Sequence, residues 1–393
     1  MSENRARDTI YLDYQASTPC DPRVVEAMLP YFTEQFGNPH SVEHAYGWDA
    51  AEAVEKARSD LAALLKAEPR EVIFTSGATE SNNLAVKGAA RFLKDRRPHL
   101  VIAETEHKCV LESAKRLERE GHRVTWLSVQ ASGLVELAEL EAAITSETAL
   151  VSIMAVNNEI GTIQPLAEIG ALCREKGALF HTDAAQAVGK IPLDVGAMNI
   201  DLLSVSGHKM YGPKGIGALY IRRRPRVRLD PMMDGGGQER ATRSGTLSPA
   251  LCAGLGTAAA LAAREMEDEG KRLLALRARF LEDLRKRLPD LEVNGDLDYR
   301  VAGNLNLRIP GLRGEELLKA LPRLALSTGS ACSSASVEPS YVIRALGVPE
   351  ESASQAFRIG LGRFTTGSEL ARAAEMIAAA AAHLRDGAGR AQG

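Results

Sequence analysis

One amine and one thiol in this chain stand in local sequences that ordinary lysines and cysteines do not need. Lys209 closes the run SGHK at 206–209, after the apolar stretch DLLSVS and before YGPKGIGALYI, so it falls in a turn between two predicted strands. Such a turn presents an amine rather than solvating it. Cys332 lies in STGSACSSAS at 327–336, a run of small and polar residues that neither periodicity nor bulk would order. A thiol in that setting is exposed and chemically available, and its thiolate is the nucleophile. At an unperturbed pKa of about 8.5 only about 3% of it is ionised at pH 7, so a nearby proton acceptor is expected to activate it. Cys20, Cys109, Cys173 and Cys252 lack that setting and read as small buried residues.

Three further groups belong with the lysine. The run TSGATES at 75–81 sets a glycine-containing turn between a strand and a helix. Backbone N–H groups near Gly77, Ala78 and Thr79 would face outward there, and a helix N-terminus holds an anion through its dipole and unpaired donors. The same residue types also cap helices for structural reasons alone. Asp183 ends the strand ALFHTD, 26 residues before Lys209. A carboxylate so placed suits pyridoxal phosphate, whose protonated ring nitrogen needs an anionic partner to act as an electron sink; it would equally cap the following AAQAV segment. His107, in ETEHKCV after the strand LVIAE, is open to capping, ring stacking or proton transfer, and would be the acceptor for Cys332. A metal site on His107 and Cys109 has no third ligand in view.

The elements that must position these groups alternate. EVIF, LVIAE, VTWLS, ALVSIMAV, ALFHTD, DLLSVS and GALYIR are short apolar runs, with helical segments between many of them. Repeated alternation predicts an α/β layer with a mostly parallel sheet covered on both faces, whose ligands gather in the loops at the strand ends. Residues 247–287 predict one long or kinked helix acting as a hinge, followed by a smaller α+β part and a frayed tail, RDGAGRAQG.

A length of 393 residues with 45% hydrophobic content predicts two domains. A net charge of only −3 removes the global electrostatic case for a nucleic-acid or anionic-membrane partner, and RRRPRVR at 222–228 reads as a solvated sheet end. Five cysteines without a CxxC indicate neither a disulfide framework nor a zinc knuckle, which suits a reducing, cytoplasmic setting. The N-terminus lacks a signal-peptide core, and no stretch approaches the ~20 apolar residues of a membrane span.

Taken in order, YLDYQASTP at 11–19, FGNPHS at 36–41, FTSGATES at 74–81, TEHK at 105–108, VNNEIG at 156–161, HTDAAQ at 181–186, SGHKMYGPKGIGALY at 206–220, GGGQE at 235–239, RSGT at 243–246, GSACSS at 329–334 and RIGLGRF at 358–364 span nearly the whole chain. Through them the sequence resembles the pyridoxal-phosphate-dependent cysteine desulfurases of the IscS/NifS type, in the fold-type I superfamily. The resemblance implies an aminotransferase class V-like α/β fold. Its large domain, residues 15–262, would hold the cofactor on a seven-stranded mostly parallel sheet. Residues 1–14 and 263–393 would form a smaller α+β domain carrying the active-cysteine loop at about 327–336.

It also implies roles. Lys209 would hold the cofactor covalently and later move protons, Asp183 would pair with the ring nitrogen, Gln186 with the ring phenolate oxygen, and His107 would stack on the ring. Ala78, Thr79, Ser206 and His208 would hold the phosphate, and Thr246 would reach the phosphate of a neighbouring subunit, which requires a homodimer. Asn158, also beside the cofactor, and Arg358 would bind the substrate carboxylate, for which a planar guanidinium is suited.

The implied reaction converts L-cysteine to L-alanine and leaves the sulfur on Cys332 as a persulfide. An acceptor or iron–sulfur scaffold protein would then take it, with Cys332 also serving as a passing cluster ligand. No direct nucleic-acid or membrane partner is implied. Ala185 stands where many relatives have Thr, and the chain stops at RDGAGRAQG, short of the C-terminal extension by which many engage the scaffold. The long loop around GSACSS resembles that of the members that deliver sulfur directly. Alternatives on the same fold are a selenocysteine lyase or cysteine sulfinate desulfinase, which would not need Cys332, an aminotransferase, and a non-catalytic sulfur-relay platform.

Overall fold

The computed structural model describes residues 8–328 and 339–391. Seven strands form its central sheet: β1 (Val72–Thr75), β2 (His99–Ala103), β3 (Arg123–Leu127), β4 (Thr148–Ser152), β5 (Leu179–Asp183), β6 (Leu202–Ser206) and β7 (Gly217–Ile221). They lie side by side in the order β1-β7-β6-β5-β4-β2-β3. All are parallel except β7, which runs antiparallel to both its neighbours. β1, β2, β4 and β6 are buried at every residue. That accounts for their reading as unbroken apolar runs: helices cover both faces of a parallel sheet. The expected strand ALVSIMAV ends sooner, at Ser152. Beyond it Ile153 and Ala155 still donate to the carbonyls of His181 and Asp183, so the chain follows β5 without a regular ladder.

On one face lie α1 (Ala45–Leu65) and the first half of α5 (Pro249–Arg287); on the other lie α2 (Ala78–Leu93) and α3 (Lys108–Arg119), while α4 (Leu166–Lys176) leads into β5. α1 and α5 approach so closely that a Cβ on Gly256 would sit 2.5 Å from Cα of Ala57. Leu61, Phe74, Val151, Phe180 and Leu255 belong to one apolar cluster; Leu84, Ala89, Ile102, Val110 and Leu117 belong to the other.

α5 is the long helix the sequence predicts, 39 residues or about 58 Å. Ser248 caps it and Pro249 opens it. Its first half packs Leu255, Ala258 and Ala262 under the central sheet, and its second half carries Leu273, Phe280 and Leu284 into a separate cluster. That second cluster lies under an antiparallel sheet of β8 (Glu292–Val293), β9 (Asn304–Arg308) and β10 (Ala356–Gly360), with β9 in the middle. α6 (Gly367–Ala391) joins it and runs on through RDGAGRA, where the sequence reading placed a frayed tail. That segment contains no proline to break the helix. Arg222 also departs from its reading as part of a solvated sheet end. It is buried, donating to the carbonyls of Val195 and Ile200 and pairing with Asp201.

Candidate active site

The carboxyl ends of the parallel strands share one edge of the sheet, and the sequence-predicted groups follow them. Gly77–Thr79 follow β1, His107 follows β2, Asn158 follows β4, Asp183 ends β5, and Ser206–Lys209 close β6.

After β1 the chain turns sharply at Gly77, the N-cap of α2, with φ +152°, a region glycine occupies at little steric cost. The facing Gly217 is needed as well: a Cβ there would lie 2.7 Å from Cα of Gly77. No side chain caps α2. Its first N–H groups, at Ala78 and Thr79, are therefore left for an external anion, and Thr79 is exposed.

His107 is the N-cap of α3. Its Nδ1 accepts from the Cys109 amide at 3.2 Å and lies 3.0 Å from the Cys109 Sγ. Acceptance at Nδ1 places the proton of the neutral ring on Nε2. Cys109, read from sequence as buried filler, is only partly buried and lies within this network: Asn82 Nδ2 reaches its Sγ at 3.1 Å and Asp183 Oδ2 at 2.7 Å. The second oxygen of Asp183 accepts from the amide of Ala185 at 2.9 Å. Beside this carboxylate lies Glu106, fully buried, with one oxygen taking Ser152 Oγ and the other unpartnered. Burial, then the neighbouring Asp183, pushes the Glu106 carboxyl up to about 8. Glu106 is therefore a neutral acid at neutral pH.

Lys209 ends a 3₁₀ turn, Gly207–Lys209, in the tight return from β6 to β7. Its Nζ donates to the carbonyls of Gln15 and Ala16 at 2.6 and 2.7 Å. Gln186 Nε2 donates to the same Gln15 carbonyl at 2.8 Å. The N-terminal segment thus draws the lysine and the glutamine together. Ser206 is buried at the strand end. His208 Nδ1 lies 3.2 Å from Ser17 Oγ, and burial, with Lys209, Lys214 and Lys190 nearby, pushes its imidazole down to about 4. It is neutral at physiological pH.

Arg358 projects from β10 and joins the second sheet to the first. Its Nη1 donates to the Asn158 carbonyl at 2.9 Å and its Nη2 to Asp13 Oδ1 at 2.8 Å. Arg358 Nε and Asn158 Oδ1 are buried without partners. Thr246 stands apart and exposed, at the end of a loop anchored by Arg243 to Glu80 on α2. Cys332 lies outside the described residues. Among the described residues no cluster of His, Cys, Asp and Glu could hold a metal ion.

A model of the aminotransferase class-V family matches residues 10–372. The chain belongs to that family. Within aminotransferase class V it is 56% identical over 377 residues to a protein of Rickettsia bellii named cysteine desulfurase IscS, covering 96% of this chain and 92% of that one. A solved structure titled NIFS-like protein superposes with a TM-score of 0.89 at 34% identity, covering 95% of this chain and all of the other. Another, titled SspA in complex with cysteine, superposes with a TM-score of 0.81 at 39% identity over 91% of this chain and all of that one.

Asn82, Gln15, Cys109 and Glu106 were not singled out as site residues from sequence. For Gln15 a signal existed, because it lies within YLDYQASTP, one of the runs that carry the resemblance.

Proposed function

We propose that this protein is a pyridoxal-phosphate-dependent cysteine desulfurase. The observation that carries the reading is the meeting of an amine, Lys209, a buried carboxylate, Asp183, and an uncapped helix N-terminus at one edge of the sheet. The cysteine desulfurase name of a relative 56% identical supports the choice of reaction.

The residues fit the cofactor. The open end of α2 suits a phosphate, with Ala78, Thr79, Ser206 and His208 as its ligands, and Lys209 supplies the amine for a covalent link. Asp183 would face the ring nitrogen, Gln186 and Asn158 the ring substituents, and His107 the ring face. Unpartnered Asn158 Oδ1 and Arg358 Nε are buried polar atoms of the kind that a bound molecule completes. Bound there, pyridoxal phosphate supplies an electron sink for the substrate's Cα and Cβ bonds.

The protein's own groups do the rest. Arg358 binds the substrate carboxylate through its guanidinium. Lys209, its Nζ directed by two carbonyls that cannot take its proton, removes and returns the Cα proton. Cys332, as thiolate, attacks the sulfur of L-cysteine: the new S–S bond forms as the Cβ–S bond breaks, the Cβ carbon is protonated, and L-alanine leaves. One thiol and one cysteine become one persulfide and one alanine, with no external oxidant or reductant.

Residues 15–262 are taken as the cofactor-binding domain, and 1–14 with 263–393 as the smaller one. A homodimer accounts for exposed Thr246 and for a run of exposed apolar side chains that includes Leu29, Phe36, Val42 and Trp48, the last at 58% exposure. The persulfide would pass to an acceptor or iron–sulfur scaffold protein in the cytoplasm. The four described cysteines are free thiols, as a reducing compartment keeps them, and no described helix is long and apolar enough to cross a membrane.

Borohydride reduction after incubation with the cofactor, followed by peptide mass mapping, is expected to place the phosphopyridoxyl mass on Lys209. Label on another lysine, or none, would overturn the assignment.

A further inference from the structure

Four residues after Gln186 lies a second lysine that the reaction does not use. Lys190 Nζ donates to Gln186 Oε1 at 2.6 Å. An ammonium has three donors and no acceptor, so the amide atom facing it must be the oxygen. The amide nitrogen is then turned the other way, and it donates to the Gln15 carbonyl that also receives Lys209. A hydrogen-bonded path of one side-chain amide and one backbone carbonyl therefore links two lysine amines.

Lys190 borders a cavity of about 30 Å³ with Tyr14, Tyr211 and Glu269, room for about one water and for no substrate. The anionic group in its field, Glu269, is already engaged by Tyr211 Oη at 3.0 Å and Arg363 Nε at 2.8 Å. The cationic groups around it are Lys209 and Arg358, with His208 nearby. Burial, then the charge of Lys209, pushes the Lys190 amine down to about 7. While Lys190 holds its proton, that ammonium raises the cost of a second positive charge at Lys209, and amines beside another cation are activated in this way.

We propose that Lys190 is a positioning residue of the site: it locks the Gln186 amide with its N–H face towards the cofactor position, and its charge disfavours a proton on the Lys209 nitrogen. The inference rests on the proposal that Lys209 carries pyridoxal phosphate.

The test compares the loaded wild-type enzyme with Lys190→Arg, Lys190→Gln and Lys190→Met. First, the wild type must show the lysine-linked chromophore; its absence would refute the cofactor assignment rather than the role of Lys190. The pH midpoint of that chromophore is then titrated and the cofactor dissociation constant measured. Lys190→Met loses both charge and donor: its midpoint is expected to rise by about one pH unit, and cofactor binding to weaken about tenfold. Lys190→Gln keeps a donor without the charge, so it should share the raised midpoint while binding cofactor nearly as the wild type does. Lys190→Arg keeps both and should restore both values. A Lys190→Met enzyme with the wild-type midpoint and affinity would overturn the proposal. So would an Arg variant that resembles Met. Should Lys190→Met fail to fold, an unmoved midpoint in Lys190→Gln would refute the electrostatic part, and loss of binding in Lys190→Arg the positional part.

Discussion

Asn82 Nδ2 donates to Oδ2 of Asp183 across 2.7 Å. The donor lies one turn into α2, the helix whose open end suits a phosphate, and the acceptor ends β5. One helix would therefore serve both ends of the proposed cofactor: its terminus would face the phosphate, and its second turn holds the carboxylate proposed for the ring. The same amide nitrogen touches Cys109, which in turn holds His107.

Asn82→Ala removes that donor and leaves a buried carboxylate short of a partner, a cost of about 1–3 kcal/mol. Cofactor affinity is expected to fall about tenfold or more, measured by equilibrium dialysis with absorbance detection. Unchanged retention would show that Asp183 needs no help from α2.

Glu106 predicts an opposite response to pH from that of an ordinary carboxylate. Its folded pKa, about 8, lies above the ordinary 4.5. The folded state therefore binds the proton more tightly, and the stability this supplies is complete below about 4.5 and is lost as pH rises towards 8. Glu106→Gln stays neutral throughout. Relative to wild type, the cofactor-free variant should gain up to about 1.4 kcal/mol of stability per pH unit between about 5 and 8. Urea titrations at three pH values read this directly, and a pH-independent difference would contradict it.

The loop that ends at Thr246 is tied down by a buried ion pair. Arg58 meets both Glu239 oxygens at 2.8 Å, and Glu239 also accepts the Phe74 amide of β1 at 2.7 Å. Breaking such a pair from one side costs about 3–5 kcal/mol because a charge stays buried alone. Glu239→Ala should therefore destabilise strongly, and Arg58→Met with Glu239→Leu much less, in denaturant unfolding. Equal losses would show that the charges themselves are not the source of the cost.

Arg358→Lys tests the substrate carboxylate contact. Lysine keeps the charge but cannot span Asn158 and Asp13 while offering a planar fork. KM for L-cysteine is expected to rise about tenfold with a smaller change in kcat, since the contact persists from bound substrate to transition state. A fall in kcat at constant KM would assign Arg358 to the chemistry instead.

The strands and the loops that follow them were legible in the sequence because each is a short apolar run with turn residues at its carboxyl end. Asp183 and Lys209 could thus be placed at strand ends before any topology was known. What joins them was not legible. Gln15 and Gln186 meet across 171 positions, and Asn82 and Asp183 across 101, in pairings that only the tertiary fold creates. Cys109 failed for a different reason: a small residue in the first turn of a helix looks the same whether it fills the core or orients a neighbouring histidine. The α6 extension was missed because its two glycines resemble a terminus, although packing in the preceding turns can carry a helix past them.

The central claim is that sulfur leaves L-cysteine by attack of Cys332. Sulfide and alanine release from L-cysteine, with a reductant present, should be compared between the intact protein and Cys332→Ala. Equimolar products from the intact protein that vanish with the substitution, while the Lys209-linked chromophore remains, are the predicted result. Undiminished turnover in Cys332→Ala would contradict it and assign the fold to a lyase that expels its leaving group without an enzyme thiol.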